Sequence, residues 1–171
     1  MYNSSELIEL LKKKYKIEVH QHDALFTVED SRKLRGKIGG AHTKNLFLKN
    51  KKNNFFLLSC EEADKIDLKK ISKSLELGNV SFAKEEYLEK YLKIKPGSVS
   101  PFALLNDKDH FVNFYLEEAL YESNFVNFHP LINTFTVNIE TNKFIEFMIE
   151  NNKKIHIFSS EEGKILKTDE K

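Results

Sequence analysis

The run Phe55-Phe56-Leu57-Leu58-Ser59-Cys60 is almost unbroken in apolar character. A strand with one wet face alternates apolar and polar residues, so a run like this belongs to a strand buried on both faces. The polar turn Asn50–Asn53 precedes it, and a second strand-like segment, Thr43–Lys49, lies before the turn. The chain must therefore build a sheet with material packed on both sides of it.

The other segments supply that material. Residues 4–14 carry Leu7, Ile8, Leu10 and Leu11 on one stripe and read as a helix capped by Ser4 or Ser5. Tyr15–His22 alternates and reads as a strand. Thr27 and Asp30 stand at the spacing of a capping box and open a second helix. Asp67–Leu75, Lys84–Leu92 and Thr141–Asn151 read as further helices, the second stopped by Pro96-Gly97. Val80–Phe82, Phe111–Tyr115, Phe125–Phe128, Phe135–Ile139 and Ile155–Phe158 read as strands, and Ser98–Leu105 as a loop leading into a strand. Strands outnumber helices, and some are joined by hairpin-length turns. The expected class is α+β: a mixed, barrel-like β-sheet flanked by helices, not a doubly wound parallel sheet. At 171 residues the chain has the length of one domain, here expected over residues 1–160, with 161–171 a polar, frayed C-terminal tail.

Composition narrows the function. The 27 basic and 26 acidic residues leave a net charge of +1, which excludes a polyanion-coating protein but not a local basic patch. Of the basic residues only Arg32 and Arg35 are arginine, so bidentate base or phosphate readers are scarce. Cys60 is the single cysteine; it can form neither an internal disulfide nor a thiolate zinc site and reads as a core thiol. The six histidines fall in no ligand pattern, and no metal or other cofactor is expected. No apolar run reaches the ~18 residues of a membrane span. The N-terminus reads as an amphipathic helix without an apolar signal core, so no membrane partner and a cytoplasmic location are expected. Phosphate-binding glycine loops, HExxH and GxSxG are all absent.

Three segments stand out. Gly39–Leu48, GGAHTKNLFL, places Lys44 and Asn45 just after two glycines. Its plain reading is a turn with a solvated lysine. Pro96–Asp107, PGSVSPFALLND, sets Gly97 and Pro101 four apart around Ser100. Helix termination explains its first proline better than its second. Val126–Thr134, VNFHPLINT, holds His129 before a proline, which biases its backbone to an extended form.

In this order and spacing, GAHTKNLFL, GSVSP followed by FALLND, and NFHPLINT resemble the YbaK/prolyl-tRNA-synthetase editing-domain superfamily, and most closely its free-standing ProXp-ala (PrdX) branch. The likeness spans residues 5–158. It implies a trans-editing deacylase that removes alanine from mischarged tRNA-Pro, with no metal and no covalent intermediate. Water would attack the aminoacyl ester, helped by a ribose hydroxyl of the terminal adenosine. Such a second sieve answers a physical need: one missing methylene gives a synthetase only ~1–3 kcal/mol of discrimination.

The resemblance also assigns residues. Lys44 matches the motif lysine and would anchor the terminal phosphate or ribose. Asn45 would hold the ester, and His129 would fix ribose, water or amino acid by hydrogen bonding. These three form the expected catalytic set. Gly97, Ser100 and Pro101 would present a stiff loop to the substrate, with Val28 and Leu34 of the second helix shaping the pocket. Lys49, Lys51 and Lys52 are candidates for acceptor-stem phosphates, or equally a solvated hairpin tip. The expected partners are the acceptor end of aminoacylated tRNA-Pro and, as a second candidate, prolyl-tRNA synthetase. Two alternatives stay open: a cysteine- or serine-specific deacylase of the same superfamily, and a non-catalytic module binding tRNA or a synthetase.

Overall fold

The computed structural model describes residues 1–33 and 37–171. In chain order the elements are α1 (Ser4–Lys14), β1 (Glu18–Gln21), α2 (Val28–Arg32), β2 (Ala41–Asn50), β3 (Phe55–Glu61), α3 (Leu68–Ser74), β4 (Val80–Phe82) and α4 (Glu85–Tyr87). The α4 turn widens into a π-helix, Leu88–Leu92, and a 3-10 helix, Pro101–Asn106, follows. Then come β5 (Val112–Glu117), α5 (Glu118–Glu122), β6 (Phe125–Phe128), β7 (Phe135–Glu140), α6 (Thr141–Glu150), β8 (Ile155–Ser159) and β9 (Lys164–Asp169).

The sheet is mixed, as the sequence led us to expect. Its order is β1-β7-β6-β2-β3-β5-β8-β9, with β4 added beside the far half of β2. β2–β3 is the antiparallel hairpin, with Thr43 opposite Glu61 and Lys49 opposite Phe55. β3 and β5 are parallel, as are β5 and β8. The first residues of β2 pair in parallel with β6 through Ala41 and His42.

β3 is buried from Phe55 to Cys60, and its alternate residues enter two different cores. Phe55 and Leu57 join the larger cluster with Leu7, Leu11, Phe102, Phe114, Phe144 and Phe147. Phe56, Leu58 and Cys60 join a smaller one with Leu48, Ile71, Leu75 and Tyr115. Helices α1 and α6 cover the first face and α3 covers the second.

Local signals set the element ends. The capping box at α2 forms as read: Thr27 Oγ1 accepts from the Asp30 amide and the Asp30 carboxylate accepts from the Thr27 amide. At α1 the cap is Asn3, not Ser4 or Ser5, because Asn3 places Glu6 at the third helical position and completes a capping box. Residues 98–105 do not lead into a strand. Pro101 starts the 3-10 helix, where its missing N–H costs nothing, and the Ser100 hydroxyl accepts from the Phe102 amide. The stretch expected to fray is instead β9, paired along β8 from Ile155–Asp169 to Ser159–Lys164. It is polar because it is an edge strand, exposed along most of its length. Among the described residues no helix is long and apolar enough to cross a membrane.

Leu57 and Leu58 are both fully buried, in opposite cores. Leu57→Ala and Leu58→Ala should each lower unfolding free energy by about 2–5 kcal/mol, whereas the exposed Phe82→Ser should change it by about 0.5 kcal/mol or less. Urea titration of the three variants checks this; a large effect from only one leucine would mean that only one face holds a true core.

Candidate functional site

The N-terminal end of β2 is sewn to β6 and β7 by side-chain amides. Asn127 Nδ2 donates to the carbonyls of Gly39 and Ala41, and Asn138 Nδ2 donates to the Gly39 carbonyl and to Asn127 Oδ1. Thr43 Oγ1 donates to the Asn127 carbonyl at 2.8 Å. The approach is so close at Gly40 (φ +82°) that a Cβ there would stand 2.9 Å from the Phe125 carbonyl oxygen, so only glycine fits. Gly40 thus lets the first motif close against the third.

The second motif reaches the same end. Gly97, also at φ +82°, lies where a Cβ would be 3.1 Å from Asn133 Nδ2 and 3.6 Å from the Leu25 carbonyl. Asn133 in turn clamps Leu25: its Nδ2 donates to the Leu25 carbonyl, and its own carbonyl accepts from the Leu25 amide. Ser100 and Pro101 are buried and committed to the 3-10 helix start. Their loop can therefore meet a ligand through its backbone and shape, not through these two side chains. The exposed ring of Phe26 lies beside Gly97.

Between these parts lies a cavity of about 30 Å³. Leu25, His42, Thr43, Glu62, His129 and Thr136 contribute to its wall. That is room for a water or two, or for a small group such as a methyl. His129 is half-buried, and its Nδ1 lies 2.9 Å from the Phe135 carbonyl. A carbonyl oxygen only accepts, so Nδ1 carries the proton and Nε2 keeps a lone pair. Burial holds the His129 imidazole below its ordinary value, opposed by the Phe135 carbonyl, reinforced by His22 and opposed again by Glu62. His129 is therefore neutral near pH 7. The same logic fixes its neighbours. His42 Nε2 donates to the Ile38 carbonyl, and His22 Nδ1 donates to the Asp23 carbonyl while its Nε2 lies 2.8 Å from Thr136 Oγ1.

The expected catalytic set is not one cluster. Asn45 lies on the Thr43 face of β2, where it contacts Thr43 Oγ1 at 3.5 Å and accepts from the Ser59 hydroxyl. Lys44 alternates to the other face, opposite Cys60 and in line with Leu46 and Leu48, and is not part of the wall that holds His129. Burial pushes the Cys60 thiol up, Glu117 adds to the push, and the Lys44 ammonium opposes it.

Lys49 lies six residues from Thr43 along β2, about 20 Å at the rise of a strand, with its ammonium 5.2 Å above the Tyr87 ring. Lys51 and Lys52 are exposed in the following turn. The backbone of Val28 lies in α2, its side chain falls outside what is described, and Leu34 lies outside the described residues altogether.

Sequence reasoning passed over His22, His42, Thr43, Glu62 and Thr136. Two of these, His42 and Thr43, sat inside a motif already singled out. Among the described residues no group of three or more His, Cys, Asp and Glu is placed to hold a metal ion.

The chain is similar to known proteins in sequence and in fold. Residues 22–147 match the aminoacyl-tRNA editing domain family. The chain is 36% identical over 118 residues to the prolyl-tRNA editing protein ProX of Acetoanaerobium sticklandii, covering 68% of this chain and 72% of that one. It is 35% identical over 133 residues to the prolyl-tRNA synthetase associated domain-containing protein 1 of Xenopus laevis, covering 75% and 79%. Among solved structures, a candidate trans-editing enzyme for prolyl tRNA synthetase superimposes with a TM-score of 0.64 at 15% identity, covering 91% of this chain and 96% of that one. The hypothetical protein APE2540 superimposes with a TM-score of 0.65 at 13% identity, covering 84% and 93%. These two establish likeness of fold alone. From the family match and the sequence relatives together, the chain belongs to the aminoacyl-tRNA editing domain family.

Proposed function

We propose that the protein is a trans-editing deacylase that hydrolyses alanine from mischarged tRNA-Pro. The observation that carries this reading is the size of the cavity beside a neutral His129. In this reading a space of about 30 Å³ admits the methyl of alanine and turns away the larger proline ring. Size exclusion of this kind corrects the error that a proline pocket cannot avoid.

In this reading the alanyl group enters between His129, Thr43 and the Gly97 loop. His129 Nε2, the nitrogen left without a proton, accepts a hydrogen bond from the attacking water. The water oxygen bonds to the ester carbonyl carbon, and the ester C–O bond breaks. The ribose oxygen leaves and takes up a proton, releasing alanine and free tRNA. The neighbouring ribose hydroxyl assists. The loop and Thr43 hold the ester in line, so that positioning supplies much of the rate. Lys44, on the other face of β2, serves the nucleotide: its ammonium meets the terminal phosphate outside the cavity. Phe26 stacks on the terminal adenine. Lys49, Lys51 and Lys52, about 20 Å away along the strand, serve acceptor-stem phosphates in this reading rather than the ester.

The reading is tested by single-turnover deacylation of Ala-tRNA-Pro, with Pro-, Cys- and Ser-tRNA-Pro alongside. Alanine should leave rapidly and proline should stay. If cysteine or serine leaves in preference, the same site is tuned to a different side chain. If no ester is cleaved, the protein is a binding module. His129→Ala should slow alanine release by about 10²- to 10⁴-fold. The wild-type rate should be level around neutrality. It should fall with acid only below the ordinary imidazole value of about 6.5, because protonation there removes the Nε2 lone pair. A rate that falls on the alkaline side would assign His129 a proton-donating role instead.

Two further substitutions separate positioning from chemistry. Lys44→Ala should raise KM and reduce the log–log salt slope of tRNA binding by about one, with kcat little changed. Gly97→Ala should cut kcat, because the added methyl displaces Asn133 from Leu25; a variant that folds and edits normally would remove the loop from the site.

A further inference from the structure

A second cavity lies at the opposite end of the sheet from the editing site. The strand register places it there: Lys49 pairs with Phe55, Phe55 with Val112, and Phe114 with Ile155. A cavity of about 360 Å³ opens beside the starts of β5 and β8, within the range of small-ligand sites.

Its lining carries lysines on one side. Lys153, Lys154, His110 and His156 contribute to the wall, with Glu170 as the acid among the lining side chains near them. Lys153 is 7% exposed. Its ammonium has three N–H donors, one of which goes to the Asp107 carbonyl at 2.5 Å. The Asp107 carboxylate is engaged by the amides of Phe111 and Val112. Lys154 pairs with Glu170 at 2.6 Å, with both side chains about half exposed, so that an incoming anion can compete for it. His110 is held at φ +56° without being a helix cap, a conformation a non-glycine residue adopts under constraint.

An aromatic group adjoins the lining along the chain. Phe111 stands between the lining residues His110 and Val112 and is 52% exposed. Its ring lies 5.1 Å from Tyr91, which stacks with Tyr87. Lys49 and Lys90 sit over these two tyrosines. Cations set among aromatic faces are what a phosphorylated base requires, one part for phosphate and one for stacking.

We propose that this cavity binds a nucleotide, with its phosphate on Lys153 and Lys154 and its base against the exposed face of Phe111. The site is independent of the editing chemistry. The nucleotide can be a free mononucleotide or an unpaired nucleotide of an RNA strand, and one experiment separates them.

The experiment is calorimetric titration of the whole protein with AMP, adenosine, inorganic phosphate and a five-residue single-stranded RNA. AMP should bind saturably and more tightly than either of its parts. Phe111→Ala should weaken AMP about tenfold, within the range set by one base–aromatic stack, and leave phosphate unchanged. Lys154→Gln should weaken AMP and phosphate alike and leave adenosine unchanged. It is the safer cation to remove, because Lys153 is buried and Lys153→Met can fail to fold. RNA tighter than AMP identifies a strand as the source; AMP equal to or tighter than RNA identifies the free nucleotide. The proposal is overturned if AMP shows no saturable binding at millimolar concentration, or if neither Phe111→Ala nor Lys154→Gln alters its binding.

Discussion

Every second side chain of β3 enters a different core, and the rest of the molecule is arranged around that partition. Phe55 and Leu57 are buried under α1, α6 and the 3-10 helix, while Phe56, Leu58 and Cys60 are buried under α3. A one-residue slip of β3 against β2 would exchange the two sets, putting Ser59 in the place of Leu58 in one direction or Asn54 in the place of Phe55 in the other. The register Thr43–Glu61 is therefore fixed by packing on both faces at once. That register decides where the useful end of β2 lies, since it brings His42 and Thr43 beside Glu62 and the first residues of β2 beside β6.

From there, hydrogen bonds rather than packing assemble the site. Asn127 and Asn138 are nearly buried, and their amide groups reach the Gly39–Ala41 backbone that the glycines leave uncovered. Asn133 does the same between Gly97 and Leu25. The three unusual segments are thus one structure. Gly40 removes a side chain where β6 must approach, and Gly97 removes one where Asn133 must pass. Buried amides satisfied in this way hold a geometry more strictly than apolar contact does, because a displaced partner leaves an unpaired donor behind.

Much of this was legible in the chain. The two-faced strand, the hairpin and the capping box at Thr27 follow from periodicity and short-range chemistry, and so does the apolar face of α6. Other features depend on contacts that spacing does not carry. β9 is polar because it lies at the edge, and an edge strand looks like a frayed tail until its partner is known. The second proline of the glycine–proline loop marks the first residue of a 3-10 helix, a role that looks the same in sequence as a ligand loop. Lys44 and Asn45 are neighbours in the chain, and only the pleat shows that they leave β2 by opposite faces. His22 and His129, more than a hundred residues apart, come to 6.0 Å between ring centroids through the pairing of β1 and the β6–β7 hairpin with one another.

The protonation of the site follows from the same backbone. Carbonyls of Ile38, Asp23 and Phe135 each take the N–H of one histidine, and a carbonyl cannot accept from a bare ring nitrogen. The tautomers are therefore set by the fold before any substrate arrives. Burial of His129 then favours the neutral ring, and Glu62 alone among its charged influences pulls the other way. A buried imidazole that stays uncharged keeps a lone pair available at neutral pH without a strong base nearby. The aminoacyl ester is already an activated bond, so in the proposed reaction the site need only hold water, carbonyl and a small side chain together. On the proposed reading, selectivity then rests on volume. The clamps that fix Leu25, Thr43 and His129 in place are the same ones that keep the cavity from widening.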